Sequence, residues 1–329
     1  MESYRNEALT FTAQDLVEEN PPCFYSDNKK LVYNLATSFG GKYEGKICYS
    51  RWSEMPLPTE LELAEWGDSL EIRPDFFGYE VPDTPGRVDW YLNFADHNLF
   101  CAYGTSLLAQ DELQVAEHPA LGSLREALLK RGKPFGTVEG GHPTPVLVRN
   151  VQRLCFLDTK PCAQRPGGLY GNAFDKALPV DVRAAVTLVE PPTFSNILAI
   201  EAPYGGEGAY DSETIRYVLA TAYSGFAVAR YEAQNELRGE TVAVHTGFWG
   251  CGAYGGNRIV MTMLQLVAAK MAGIDLLVFH AGDLDGCRDV EEAVGIMDST
   301  LGNTGKIPVG ELVDRIEALG FRWGVSDGN

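Results

Sequence analysis

The stretch Thr246-Gly247-Phe248-Trp249-Gly250-Cys251-Gly252-Ala253-Tyr254-Gly255-Gly256-Asn257 holds five glycines within ten residues. The apolar run Thr241–His245 before it predicts a buried strand. Ile259, Met263, Leu266, Val267 and Met271 follow at helical spacing, and a second apolar strand is predicted over residues 274–279. A strand, a glycine loop, a helix and a further strand predict a βαβ unit in an α/β sheet.

The glycine-rich loop has the chemistry of an anion site. Glycine permits positive φ and close approach of the backbone to a ligand, while the N–H groups at the start of the next helix favour negative charge. A diphosphate meets those requirements. A tight turn that uses glycine only for its geometry remains the alternative.

Gly250, Gly252 and Gly255 also match the dinucleotide-binding pattern GxGxxG, which would indicate an NAD-binding oxidoreductase. A Rossmann domain opens with this motif and continues with several strands, whereas the residues after Gly255 are mainly of helical pattern. Phe279 is followed by His280 where an acidic residue is expected. The Rossmann interpretation is therefore the less favoured one.

Elsewhere, strands and helices alternate along the chain. Residues 89–94 and the surroundings of Val146 and Ile197 predict strands, residues 106–116 predict a helix, and Asp211 is a good N-cap for another. The pattern predicts an α/β fold with a mixed sheet flanked by helices. Residues 1–85, with predicted helices at 29–38 and 59–66, are expected to form a mostly helical accessory region. Residues 86–329 are expected to form the main domain, with a C-terminal helical extension.

The composition of the chain limits the kinds of partner and compartment that are expected. The net charge of -18 and only 27 basic residues argue against an electrostatic grip on nucleic acid. No apolar run approaches the roughly 18 residues of a membrane span. Seven cysteines without CxxC pairing are typical of a reducing compartment, so a cytoplasmic protein is expected. The five histidines lack metal-binding spacing, and neither a metal nor a cofactor is predicted.

The glycine loop, the run from Leu264 and the closing stretch Val278-Phe279-His280-Ala281-Gly282-Asp283 together resemble the C-terminal half of the poly(ADP-ribose) glycohydrolases. In that family the loop wraps the diphosphate of ADP-ribose. Residues 197–201, 215–217 and 222–226 are similar to the preceding segments of the family, in the same order. The resemblance implies a macrodomain-like fold.

A third block resembles the family's FAN, GGG and QEE elements: Phe94-Ala95-Asp96, Phe100-Cys101-Ala102 and Gln110-Asp111-Glu112. By this resemblance Glu112 is the catalytic glutamate and Asp111 its ribose-holding neighbour. The ligand-binding positions that it implies are Asp96, Gln110, Thr246, Gly247, Gly250, Cys251, Gly252, Ala253, Tyr254, Gly255, Gly256 and Phe279.

Three positions depart from the family pattern. The triple glycine is absent, Asp96 replaces an asparagine, and Ala281 stands where the family has a stacking phenylalanine. These changes imply altered substrate geometry. We therefore expect a mono-ADP-ribosyl adduct or another ADP-ribose derivative to be a better substrate than the long polymer.

Cleavage of a ribosyl linkage needs a general acid for the leaving group and then an activated water. Apolar neighbours of Glu112, such as Leu108, are expected to keep its carboxyl protonated near neutral pH. The sequence thus predicts an ADP-ribosyl glycohydrolase acting on ADP-ribose linked to a protein or nucleic acid. A module that binds ADP-ribose without cleaving it is the alternative.

Overall fold

The computed structural model describes residues 1–38, 42–63, 67–302 and 305–328. The strands are β1 (Arg5–Thr12), β2 (Lys46–Trp52), β3 (Glu60–Leu63), β4 (Leu70–Arg73), β5 (Arg87–Phe94), β6 (Val138–Glu139), β7 (His142–Pro143), β8 (Val146–Leu157), β9 (Val186–Ile200), β10 (Thr241–Thr246), β11 (Leu276–His280) and β12 (Gly305–Pro308). The α-helices are α1 (Ala13–Glu19), α2 (Asp27–Thr37), α3 (Gln110–Glu117), α4 (Ala120–Arg131), α5 (Pro179–Ala185), α6 (Ser212–Asn235), α7 (Arg258–Ala272), α8 (Leu284–Leu301) and α9 (Val309–Ala318).

An eight-stranded sheet runs in the order β1-β2-β8-β9-β5-β10-β11-β4. The four strands at the β1 end pair antiparallel, whereas β9, β5, β10, β11 and β4 pair parallel. The predicted mixed α/β sheet is confirmed. Because parallel strands end at the same edge, the segments that follow β5, β9, β10 and β11 meet there, which is where α/β sheets bind ligands.

Side chains alternate across β5 and so bury both faces of the sheet. Trp90 and Leu92 pack in the core beneath α6 and α7, and Tyr91 packs in a second core with residues of α4 such as Leu124. The Asp211 side chain accepts a hydrogen bond from the Thr214 N–H, as expected of an N-cap. None of the described helices has both the length and the apolarity to cross a membrane.

The helix predicted from residue 106 begins only at Gln110. Leu108 instead exchanges two backbone hydrogen bonds with Gly171, at 3.3 and 2.9 Å. This long-range bridge holds the chain extended just before the helix, and the sequence pattern around Leu108 contains no sign of it.

The prediction of a mostly helical segment over residues 1–85 is wrong. β1, β2 and β4 all lie in the main sheet, and residues 60–63 of the predicted helix 59–66 form β3. Residues 64–66 lie outside the described part. The cause is pairing with distant partners, since β3 pairs with β12 and β4 with β11. The division of the chain at residue 85 stays a prediction.

Replacing Ile47 by Ala tests how the first 85 residues contribute to stability. Ile47 of β2 is buried in the core shared with β5 and β9. We expect Ile47→Ala to lower the free energy of unfolding by about 2–5 kcal/mol, within one transition seen alike by fluorescence and circular dichroism. The exposed neighbour provides a control, Lys46→Ala, which should change little. A separate early transition in Ile47→Ala would contradict this expectation.

Candidate functional site

The beginning of α3 is fastened to the end of β5 by side chains. The Gln110 amide accepts a hydrogen bond from the Phe94 N–H at 2.8 Å and donates one to the Leu92 carbonyl at 3.0 Å. The Asn93 amide donates to Asp111 Oδ1 at 3.0 Å. Gln110, predicted to contact a ligand, therefore joins the helix to the sheet. Asn93 was missed by sequence reasoning, although it directly precedes the Phe94-Ala95-Asp96 motif.

Asp111 and Glu112 are both buried, at 6% and 4% exposure. Glu112 Oε2 accepts the Ala109 N–H at 2.9 Å. Burial raises the pKa of Glu112 above that of an ordinary carboxyl, and the pKa of Asp111 is raised by burial and by the neighbouring Glu112. The pair therefore retains a proton at higher pH than exposed carboxyls do, in the direction that the sequence predicted for Glu112.

Lys29 is a buried cation near this pair that sequence reasoning missed. Only 2% of it is exposed, and its ammonium donates to the Tyr103 carbonyl at 3.0 Å. Burial lowers the pKa of Lys29 to about 8, while Glu112 and Asp111 act in the opposite direction. Lys29 lies on α2, about 80 residues before Asp111 and Glu112 in the chain. Nothing in the sequence distinguishes it from its exposed neighbour Lys30.

The glycine loop joins β10 to α7, as predicted. Gly250 has a φ of 75°, and a Cβ there would lie 2.5 Å from the Cβ of Ala202. At Gly256 a Cβ would lie 2.7 Å from the Gly250 carbonyl oxygen. Packing inside the protein therefore requires glycine at these two positions, whether or not a ligand binds.

The middle of the loop presents backbone N–H groups. Among the described residues, the N–H groups of Gly252, Ala253 and Tyr254 donate to no other residue, whereas that of Gly255 bonds to the Gly252 carbonyl at 3.0 Å. The Asn257 side chain caps α7 by accepting from the Ile259 N–H at 3.0 Å. Available amides before a helix N-terminus form an anion-binding arrangement.

Asp96 links the loop to the acidic pair. The Tyr254 hydroxyl lies 3.5 Å from Asp96 Oδ2 and 3.3 Å from Glu201 Oε1, at the ends of β5 and β9. The charge of Asp96 also contributes to the raised pKa of Asp111 and of Glu112. Asp96 and Tyr254, both predicted ligand contacts, are thus brought together beside the predicted catalytic residues.

Asp96, His97 and Glu201 offer three potential metal ligands within 4.8 Å of one another. His97 Nδ1 lies 3.1 Å from Asp96 Oδ1 and 3.6 Å from Glu201 Oε1. These contacts and the Tyr254 hydroxyl already provide partners for both carboxylates. The sequence predicted no metal here because it did not place Glu201 beside His97.

The turn in place of the family's triple glycine keeps a glycine-like backbone at one position. Phe100 has a φ of 56°, in the left-handed region that costs a non-glycine residue on the order of 1 kcal/mol. Its side chain is fully buried in the core, so it does not enter the cleft. Cys101 is exposed on one side, and partial burial of its thiol together with the charge of Asp96 raises its pKa to about 12.

Two predicted ligand residues are buried within the protein. The Thr246 hydroxyl bonds to the Gln265 side chain, and Thr246 has no exposed surface. Phe279 is equally buried and packs edge-on against Phe248, with ring centroids 5.2 Å apart. Both side chains support the loop from beneath. The sequence did not distinguish support from contact, because both roles place an apolar or small polar residue beside glycine.

Residues 172–287 match the family model described as "Poly (ADP-ribose) glycohydrolase (PARG), Macro domain fold". The chain is similar to the poly(ADP-ribose) glycohydrolases. The PARG-like segment runs from before β9 into α8 and contains the whole glycine loop. Asp96, Gln110, Asp111 and Glu112 lie outside it, so their roles depend on geometry and on the motif resemblance.

Solved PARG structures resemble most of the chain. The enzyme from Thermomonospora curvata has 14% sequence identity and a TM-score of 0.46, covering 89% of this chain and 94% of that chain. A second structure from that organism, bound to the inhibitor ADP-HPD, has 13% identity, a TM-score of 0.44 and coverages of 87% and 84%. A Deinococcus radiodurans enzyme in complex with ADP-ribose has 12% identity and a TM-score of 0.44, covering 92% of this chain and 97% of that chain.

Removing the buried cation should change the titration of the acidic pair. We expect Lys29→Met to raise the pKa of Glu112 above its value in the unmodified protein, because the ammonium of Lys29 lowers that pKa. A carboxyl-carbon NMR titration measures it. The adjacent, exposed Lys30 provides the matched control, Lys30→Met, which should leave the titration unchanged. An unaltered Glu112 titration in Lys29→Met would show that this lysine does not act on the pair.

Proposed function

We propose that this protein binds an ADP-ribose moiety and hydrolyses its ribosyl linkage by general acid/base catalysis. One observation carries the proposal. A buried carboxyl pair, Asp111 and Glu112, and a loop with three available N–H groups follow strands that end at the same edge of the sheet, and Asp96 between them contacts Tyr254 and contributes to the raised pKa of both carboxyls. The first can move a proton, and the second can hold an anion.

The glycine loop is proposed to hold the diphosphate. The N–H groups of Gly252, Ala253 and Tyr254, with the N-terminus of α7 behind them, supply donors and a favourable dipole. A protein with a net charge of -18 needs such local donors to bind an anion. The proposed match therefore depends on the backbone rather than on basic side chains.

Glu112 is proposed to act as the acid and then the base. Because its pKa is raised, the carboxyl of Glu112 can hold a proton and donate it to the leaving oxygen or nitrogen as the bond to the ribose breaks. The resulting carboxylate takes a proton from water, whose oxygen adds to the ribose carbon and releases ADP-ribose. Asp111, oriented by Asn93, is proposed to hold the ribose in position for this step.

The substrate is proposed to be ADP-ribose linked singly to a protein or nucleic acid in the cytoplasm. The seven cysteines, all free within the described residues, support a reducing compartment. Cys101 supports altered substrate geometry, because it places an exposed side chain beside Asp96 where the family has glycine. Comparing hydrolysis of a single adduct with that of the polymer tests this preference.

Binding without turnover is the second candidate, and one contact favours it. Glu112 Oε2 accepts the Ala109 N–H, an arrangement that an acidic residue near a helix N-terminus makes for structural reasons alone. In that case Glu112 would stabilise α3, and ADP-ribose would be bound and kept intact.

Replacing Glu112 by Gln separates the two candidates. We expect Glu112→Gln to slow release of ADP-ribose from a mono-ADP-ribosylated protein by about 10²- to 10⁴-fold, because the general acid is lost. The amide still accepts from Ala109, so ADP-ribose binding, measured by calorimetry, should be kept. Glu117→Gln removes another buried carboxyl of α3, one paired with Arg153, and should retain turnover per folded molecule. Equal rates in Glu112→Gln and the unmodified protein would exclude this catalytic role.

A charge placed in the loop tests the diphosphate site. Ala253 is partly exposed between two of the available amides. We expect Ala253→Asp to weaken ADP-ribose binding by about tenfold or more relative to Ala253→Asn, since an anion would lie next to the diphosphate. The two side chains are nearly equal in size, so calorimetry on this pair isolates the charge. Equal affinities would place the diphosphate elsewhere.

A further inference from the structure

Residues 324–328 form a strap that follows α9 in the chain and lies across the glycine loop. The preceding Trp323 anchors the strap. Its ring stacks on Tyr210 with centroids 4.4 Å apart, and its backbone N–H donates to the Gly208 carbonyl at 3.0 Å. The Asn257 side chain, at the start of α7, donates to the Arg322 carbonyl at 3.1 Å. The strap therefore starts from a fixed point beside the loop.

The strap then follows the loop closely. The Gly324 N–H donates to the Gly255 carbonyl at 2.8 Å, and the Asp327 N–H donates to the Gly252 carbonyl at 3.4 Å. A Cβ on Gly252 would lie 3.2 Å from Asp327 Oδ2. A carboxylate is thus held against the residue that begins the row of available amides.

Beyond the loop, the strap reaches the side of the cleft that carries the acidic pair. The Asn172 side chain donates to the Gly328 carbonyl at 2.6 Å. The pKa of Tyr170 is raised to about 12 by burial, then by Asp327 and by Glu112. Tyr170 therefore lies near both Asp327 and Glu112. The strap thus runs from the glycine loop to residues 170–172, which pair with Leu108 just before α3.

In the described part of the chain, one cavity borders Lys29 and another borders Leu61, and neither of the two reaches the glycine loop. A ligand with the size of ADP-ribose needs a preformed concave site or a segment that moves aside.

We propose that the strap is an internal competitor for the anionic ligand of the glycine loop, with Asp327 in place of the ligand's charge. This inference rests on the proposed function, because the ligand is the diphosphate of ADP-ribose. A lid that closed over a diphosphate would bring donors or cations to it. This strap instead brings a carboxylate beside Gly252, where it repels a diphosphate bound at the neighbouring amides, so ligand binding and strap docking oppose each other.

Charge and docking are tested separately in the full chain. Asp327→Asn removes the charge, and Gly324→Pro removes the N–H that bonds to Gly255. Asp314→Asn, at an exposed position on α9, is the matched control for loss of one negative charge. We expect Asp327→Asn to bind ADP-ribose about two- to fivefold more tightly than Asp314→Asn, measured by calorimetry. Gly324→Pro should gain more, because the whole strap is released.

Hydrogen exchange supplies an independent measurement on the unmodified protein. Saturating ADP-ribose should speed exchange at the amides of Gly324 and Asp327, which lose their loop carbonyls. If both variants bind ADP-ribose no more tightly than Asp314→Asn, or if exchange at these amides becomes slower, the strap is not a competitor. Such a result would indicate that it closes over the ligand as a lid. If ADP-ribose binds neither the unmodified protein nor Gly324→Pro, the proposed function itself fails, and the competitor fails with it.

Discussion

The parallel pairing of β5 between β9 and β10 is the constraint on which the rest of the site depends. Its register places Tyr91 opposite both Ile197 and His245, so the three strands end together. The acidic helix after β5, Glu201 after β9 and the glycine loop after β10 consequently share one edge. Trp90 and Tyr91 are buried on opposite faces and hold this register, because a shift of one residue would move each side chain into the core that is packed around the other.

The electrostatics of the site follow from this geometry. Once Gln110 and Asn93 bind α3 to β5, two neighbouring carboxyls are withdrawn from water, and burial raises the pKa of each. Lys29, brought in by α2, offsets part of that cost. A surface helix with the same Asp-Glu sequence would be fully ionised at neutral pH. The capacity to hold a proton therefore belongs to the packing rather than to the residue types.

The glycine loop combines structural and ligand-binding requirements. Gly250 and Gly256 are glycine because the loop folds tightly against Ala202 and against itself. That folding leaves the N–H groups of Gly252, Ala253 and Tyr254 without a hydrogen-bond acceptor among the described residues. The strap that carries Asp327 lies beside them. A segment distant in sequence thus contributes negative charge to a site otherwise formed by amides, which links access of an anion to the position of the strap.

The sequence by itself determined the βαβ unit around residues 246–257, because apolar periodicity and glycine spacing are local properties of the chain. It also indicated the loop's family resemblance and the order of the central strands and helices. Only the tertiary structure decided that β1, β2 and β4 join the main sheet, that Thr246 and Phe279 face inward, and that Lys29 and the strap lie at the site. These features arise from contacts between residues far apart in the chain, and no local pattern records which distant segments will meet.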